Sequence, residues 1–323
     1  MSFNNIIGQN RQISLLKKQL FSGRIPHSYL FIGPEGIGKK KTGIEIAKFL
    51  NCKKPENDSC DECISCQKIG KAIHPDVHII DFEWQALFLE EPLEKQTQIK
   101  IDSVREIQKE ISLKPSEGKW KVFIIDNSEK LSQEASNCLL KTLEEPPENS
   151  MLILLTTIKD ALPQTIISRC QSIYFNRIKD EDIFLYLQRN FSTKKEEIEK
   201  IVKFADGSIG KAVKCLEEIG QINLLSDFFE KIFEKKIDDL ELLEMIESIS
   251  KDRNYIEQFL DMLLIFTRSE IEKGKNFSEI AEMILELKRS LRYNINTTLL
   301  MNVLLFSLKE KIFNLLSKCS GNL

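Results

Sequence analysis

The stretch Gly33-Pro34-Glu35-Gly36-Ile37-Gly38-Lys39-Lys40 constrains this chain more than any other. It follows an apolar run, Ser28-Tyr29-Leu30-Phe31-Ile32, and opens a helical pattern over Lys40 to Leu50. A glycine-rich turn from strand to helix, ending in lysine, is the context of a phosphate-binding loop. Glycines at 33, 36 and 38 let backbone N–H groups wrap an anion because no Cβ blocks the approach. The helix N-terminus adds a favourable dipole. Lys39 is the side chain that would reach the β- and γ-phosphates of a nucleotide.

The surrounding pattern is that of a doubly wound α/β domain. Val77 to Ile80, Val122 to Ile125 and Leu152 to Leu155 are short, continuous apolar runs of strand length. Such runs suit central strands of a parallel sheet covered on both faces. Helical patterns over Ser103 to Leu113 and Ser132 to Leu143 lie between them, the second stopped by Pro146-Pro147. After about Phe175 the strand patterns cease. Asp180 to Asn190, Lys194 to Ala205 and Ile209 to Glu218 read as three short helices, and from about Ile222 only long amphipathic helical segments follow, among them Ile256 to Ile271 and Ile280 to Leu291. The expected organisation is an α/β phosphate-loop domain over 1–177, a helical lid over 178–221 and an all-α domain over 222–323.

Two departures at the phosphate site suggest that hydrolysis is lost. The position after the loop lysine supplies a Ser or Thr hydroxyl to Mg²⁺ in hydrolysing phosphate-loop proteins. Here it is Lys40, whose ammonium repels the cation. Thr42 is two residues on, about 200° around a helix, and is read as a plain helix-surface threonine. Asp126 ends the second phosphate-site strand, where a metal-orienting Asp belongs. The next residue is Asn127 in place of a water-activating Glu, and an amide cannot act as a general base. ATP or ADP is therefore expected to bind this site weakly or not at all.

Of eight cysteines, four crowd into one segment: Cys52, Cys60, Cys63 and Cys66. Four soft ligands on a short polar loop match a closed, structural tetrahedral zinc site over 52–66, with an iron–sulfur cluster as the chemical alternative. Metal binding would order a loop with too little apolar content to order itself. Cys138, Cys170, Cys215 and Cys319 read as buried thiols. His27, His74 and His78 suggest no catalysis; His74 could replace a cysteine ligand, but four already suffice.

Net charge is −3 with 29% charged residues, so bulk charge does not announce a nucleic-acid binder. No apolar run reaches the ~20 residues that span a bilayer, and Met1 to Asn5 lacks signal-peptide character. The expected location is cytoplasmic, without membrane contact.

Further motifs carry a resemblance. Asn137-Cys138-Leu139-Leu140-Lys141-Thr142-Leu143-Glu144-Glu145-Pro146-Pro147, Thr156-Thr157, Ser168-Arg169-Cys170 and Gly207-Ser208-Ile209-Gly210-Lys211-Ala212 join Ile7-Gly8-Gln9 and the cysteine cluster. In combination these resemble the AAA+ subunits of the bacterial DNA polymerase III clamp loader, over at least Phe3 to Ala212. Lys40 and Asn127, and an end at Leu323 where many motor subunits run longer, make the resemblance nearest to the delta-prime type. That resemblance implies a largely rigid, non-hydrolysing member of a five-subunit ring. Its partners would be the motor subunits, the delta subunit, the sliding clamp and primer-template DNA, and it would be nucleoid-associated while in the replisome. The C-terminal helices would join the collar that holds the ring together. Arg169 would project in trans toward ATP in a neighbouring motor. Thr156 would stand at the first sensor, and Lys211 at the lid position usually held by a γ-phosphate-sensing Arg. Glu144, Glu145 and Lys141 read as a solvated helix end and interface. The alternatives are a working motor subunit of the same loader, and a zinc-dependent DNA-binding protein with a vestigial phosphate loop. The mixed charge of Lys53, Lys54, Glu56, Asp58, Asp61 and Glu62, without an aromatic, weakens the second.

Overall fold

A computed structural model describes residues 3–55, 58–217, 219, 220, 223, 228, 231, 238–250, 253–272, 277–291 and 296–319. The chain divides into two compact units, one of residues 1–183 with 207–210, the other of 184–206 with 211–323.

The first unit is built on five parallel strands: β1 (Ser28–Ile32), β2 (Val77–Ile80), β3 (Lys121–Ile125), β4 (Ser150–Thr156) and β5 (Gln171–Tyr174), in the order β2-β3-β4-β1-β5. Its helices are α1 (Asn10–Phe21), α2 (Lys39–Asn51), α3 (Ile64–Gly70), α4 (Phe82–Leu89), α5 (Ile101–Ile111), α6 (Gln133–Glu144) and α7 (Gln164–Ile167). β1, β3 and β4 are buried along their whole length. Alternation sends Leu30, Ile32, Phe123, Ile125, Leu152 and Leu154 to one face, where they pack with Val104, Ile107, Leu139 and Ile166. Each such buried side chain contributes about 1.5–3 kcal/mol. On the other face Phe31 meets Phe175, with ring centroids 5.0 Å apart. Gly43 of α2 comes close to Ile124 there; a Cβ on it would sit 3.1 Å from the Ile124 side chain.

The strands and crossover helices match the sequence expectation, with small shifts. The helix expected over Ser103 to Leu113 runs from Ile101 to Ile111, because Lys114 precedes Pro115 and is pushed out of helical geometry. Among the main elements, α1, α3, α4 and the edge strand β5 had no expectation. Gln9 ties the Ile7-Gly8-Gln9 motif to the chain just after β5. Its buried side chain donates from Nε2 to the Asn176 carbonyl at 2.7 Å and accepts from the Asn176 N–H at 3.1 Å, completing the sheet edge as a backbone would.

Asp76, just before β2, is fully buried and accepts the N–H groups of Ser116, Glu117 and Gly118 at 2.7, 2.8 and 2.7 Å. Asn51 accepts the next two N–H groups, of Lys119 and Trp120. Together they hold the loop that delivers β3 to the sheet. Burial alone would raise the Asp76 carboxyl, but the three amides hold it below the usual carboxylate range. A depressed folded-state value means the contribution is full above the unfolded value of about 3.9 and is lost as pH falls through the folded value. Charge-assisted hydrogen bonds are worth about 1.5–3 kcal/mol each. Asp76→Ala should therefore destabilise by about 3 kcal/mol or more in urea melts at neutral pH. The gap between wild type and Asp76→Asn should narrow as melts are repeated toward pH 3.

The second unit is helical. It holds α8 (Asp180–Asn190) from Phe184 onward, α9 (Lys195–Ala205), α10 (Ile209–Glu217) from Lys211 onward, α11 (Asp239–Ile249), α12 (Arg253–Glu272), α13 (Ser278–Ser290) and α14 (Thr297–Cys319). α12 packs on α9, α11 and α13, and α14 packs on α11 and α13. The buried stripe of α12, Ile256, Phe259, Leu260 and Leu263, follows helical spacing. The boundary expected at 221–222, and the helix start expected at Ile222, lie outside the described residues. Among the described residues no helix is long and apolar enough to cross a membrane.

Candidate functional site

The phosphate loop leaves the C-terminal end of β1, where ligands bind in open α/β sheets. Gly33, Gly36 and Gly38 all have positive φ, at 153°, 72° and 102°. Space also excludes a side chain at the first of them: a Cβ on Gly33 would lie 2.6 Å from the Phe175 carbonyl. Gly38 caps α2 without a side-chain bond.

Lys39 is buried and turned onto its own loop, donating from Nζ to the carbonyls of Gly33 and Pro34 at 2.5 and 2.7 Å. Burial lowers its ammonium below the ordinary lysine value, with Asp126, Glu129 and Glu35 opposing. Lys40 points the other way. Its Nζ lies 2.8 Å from Asp81 Oδ2 and 3.5 Å from Asp126 Oδ2. Thr42 is not the surface residue the sequence suggested: it is fully buried, and its hydroxyl donates to the Gly38 carbonyl at 2.8 Å. That bond ties it into the helix and keeps it from any cation.

Asp126 and Asn127 sit where expected, at the end of β3. Asp126 accepts the Asn127 N–H through Oδ1 at 3.0 Å, and Asn127 has φ of 50°, a conformation asparagine tolerates. Thr156 ends β4 with its hydroxyl donating to the Ile158 carbonyl at 3.0 Å and accepting the Ile158 N–H. Thr157 donates to Glu129 Oε1 at 2.6 Å. Burial raises the Glu129 carboxyl, and hydrogen bonds led by that of Thr157 pull it below its ordinary value.

The corner Gly207–Gly210 lies directly on the loop. Ser208 donates to the Glu35 carbonyl, and the Gly210 N–H to the Gly36 carbonyl, both at 2.9 Å. Gly210 has no side chain to send toward a phosphate. Lys211, the next residue, falls in the second unit.

Arg169 follows α7 with its carbonyl held by the Ser28 hydroxyl at 2.7 Å. Its guanidinium is tied on two sides, to Glu144 Oε1 at 2.7 Å and to the Thr165 carbonyl at 2.9 Å. Glu144 is thus the carboxylate partner of Arg169 rather than only a solvated helix end.

The four cysteine sulfurs lie within 4.8 Å of one another, so Cys52, Cys60, Cys63 and Cys66 together could hold a metal ion. A tetrahedron with metal–sulfur bonds of about 2.3 Å has sulfur–sulfur edges near 3.8 Å, which this cluster can reach with small movements. The Cys60 and Cys63 N–H groups point at the Cys52 and Cys60 sulfurs, at 3.4 and 3.3 Å. Burial raises the Cys63 thiol, but N–H groups led by Lys53 and the neighbouring thiols bring it down to about 6, toward the thiolate that metals bind. A buried ion pair set anchors the module on α2: Lys48 Nζ lies 3.0 Å from Glu45 and 2.8 Å from Asp61. His74 is buried beside Asp76, whose N–H it accepts at 3.1 Å, and does not join the sulfurs. Cys170 and Cys215 are buried, whereas Cys138 is half-buried with its thiol donating to Gln108 at 3.1 Å. The side chain of Cys319 lies outside the described residues.

Sequence reading missed Asp81 and Glu144 as site residues. Asp81 had a visible signal: like Asp126 it ends an apolar strand, and β2 and β3 are neighbours with Ile80 paired to Ile125.

Comparison with known proteins finds relatives of one kind. DNA polymerase III subunit gamma of Buchnera aphidicola (Acyrthosiphon pisum) is 37% identical over 221 residues, 67% of this chain and 58% of that one. The chain thus spans little more than half the length of that curated relative. The delta' subunit of Bacillus subtilis is 26% identical over 342 residues, covering 94% of this chain and 96% of that one. A DNA polymerase III gamma-subunit-related protein of Thermotoga maritima shares the fold, with a TM-score of 0.52 at 19% identity over 93% of this chain and 99% of that one. The family model described as DNA polymerase III, delta subunit, matches residues 8–179, more than half of the sequence, and the chain belongs to that family.

Proposed function

We propose that the chain is a delta-prime-type subunit of the DNA polymerase III clamp loader. In this reading it does not hydrolyse ATP. It sits in a ring with the motor subunits and the delta subunit, and helps open the sliding clamp and close it on primer-template DNA. Arg169 acts in trans on ATP held by a neighbouring motor. The four cysteines hold a structural Zn²⁺, and the protein works in the cytoplasm, at the nucleoid when in the replisome. DNA contact would run through phosphates and shape rather than base sequence.

The observation that carries the reading is the lack of hydrolytic parts around an otherwise complete loop. Lys40 stands where a Mg²⁺-binding hydroxyl belongs, the Thr42 hydroxyl is bonded to Gly38, and Asn127 offers no carboxylate. The second reading is an ATP-hydrolysing motor of the same loader, favoured by the identity to a gamma subunit. Steady-state turnover of ATP by the isolated chain with Mg²⁺ separates them. The expected result is no turnover above background, unchanged by Lys39→Ala. Turnover abolished by Lys39→Ala would establish the motor reading instead.

A further inference from the structure

Asp81 and Asp126 converge because their strands are neighbours. β2 and β3 pair with Ile80 opposite Ile125, and the Asp126 N–H donates to the Ile80 carbonyl at 2.9 Å. Each carboxylate commits one oxygen locally: Asp81 Oδ1 accepts the Trp84 N–H at 2.9 Å, and Asp126 Oδ1 accepts the Asn127 N–H at 3.0 Å. The remaining oxygen of each faces the first turn of α2. Two carboxylate oxygens beside a phosphate loop form the kind of seat a hard divalent cation takes, with one or two protein carboxylates and substrate phosphates as its ligands. The residues here do not fit Mg²⁺, since the Lys40 ammonium lies 2.8 Å from one of these oxygens and 3.5 Å from the other.

We propose that Lys40 is a covalently tethered cation, filling the seat between Asp126 and Asp81 that a divalent metal would otherwise take. This rests on the reading of the chain as non-hydrolysing and supplies its physical cause. The substitution at position 40 removes a metal ligand and also replaces the metal. An ammonium carries one charge against two, offers no coordination sites to a phosphate and cannot be washed out. Any anion held by the loop is then neutralised by Lys39 and Lys40, without a metal bridging to Asp126. Burial would lower the Lys40 ammonium, yet Asp81 first and Asp126 second hold it above its ordinary value, so it stays charged at neutral pH. Without it the two carboxylates would repel one another across the seat, which gives the lysine a structural role as well.

The test uses the full chain as purified and Mn²⁺ alone, with free ion followed by electron paramagnetic resonance. Wild type and Asp126→Asn should take up Mn²⁺ identically, because Asp126 is already occupied. Lys40→Ser should gain one further ion per chain, and the double variant Lys40→Ser/Asp126→Asn should bind it about 10–100-fold more weakly. Lys40→Thr, with the same hydroxyl, serves if the serine variant does not fold. Uptake by wild type that Asp126→Asn removes would overturn the proposal, as would a folded Lys40→Ser or Lys40→Thr with no gain. ATP turnover measured on the same wild-type sample keeps the two claims apart. Turnover sinks the non-hydrolysing reading whatever the resonance shows. An inert chain that takes up Mn²⁺ at Asp126 sinks only the tethered-cation proposal.

Discussion

Arg169→Ala should slow ATP turnover by the reconstituted clamp loader, with clamp and primed DNA present, by about 10³-fold or more while the chain still assembles. A guanidinium placed against a γ-phosphate in trans stabilises the charge of the transition state and is worth ~10³–10⁵ in rate in comparable systems. Arg169→Lys should recover little, because an ammonium lacks the planar fork that meets two phosphate oxygens at once. The contacts of Arg169 give the experiment its internal control. The guanidinium bridges Glu144 at the end of α6 and the Thr165 carbonyl in α7. Loss of that exposed pair alone costs about 0–1 kcal/mol of fold stability. A variant with an ordinary melting curve and a crippled complex therefore means that Arg169 acts on a neighbour. An unaffected complex means that the arginine only staples α6 to α7.

Removal of the proposed metal should have the second large effect. Chelation, or Cys66→Ser, should lower zinc content from about one ion per chain to none, and make the segment between Cys52 and Cys66 sensitive to protease. The melting temperature should fall by several degrees, since each kcal/mol shifts it by about 2–4 °C in a domain of this size. Cys66 and Ile69 of α3 are buried, and Lys48, Glu45 and Asp61 meet at this module, so its melting would expose charges that now compensate one another. Iron in place of zinc, with a visible absorbance, would mark the cluster as iron–sulfur. A chain whose melting and protease resistance ignore chelation would show that the sulfurs pack without metal.

The sheet was legible because its central strands are continuous apolar runs, and Ile124, Leu154 and Phe31 have nowhere to go but between two helical layers. α4 was not legible, for the opposite reason. It reads Phe-Glu-Trp-Gln-Ala-Leu-Phe-Leu, yet its fully buried residue is Gln85, and Leu87 is 82% exposed. Gln85 turns inward to hydrogen-bond Gln96, the Gln98 carbonyl, the Lys100 N–H and Ser103, a use of polarity that hydrophobic periodicity cannot register. β5 is a short edge strand with one buried residue, so no apolar run announced it. At the site, Lys39, Lys40, Asp126 and Asn127 could be placed from the sequence because a loop and a strand end fix their positions by spacing. Asp81 offered only its place at a strand end and Glu144 not even that, since their contacts come from which strands are neighbours and which helix end faces Arg169.

Gly36 and Gly210 amount to a single constraint written at two distant places in the chain. A Cβ on Gly36 would lie 2.4 Å from the Ser208 hydroxyl, and one on Gly210 would lie 2.7 Å from Gly36 Cα. Main chain has closed over the loop so tightly that neither position can acquire a side chain alone. The two glycines therefore fix how closely the corner sits on the loop, independently of what stands at positions 40 and 127. Separating the corner from the loop would break the two hydrogen bonds from Ser208 and Gly210. Any residue larger than glycine at 36 or 210 has to displace main chain of the other segment, so the loop and the corner can change only together.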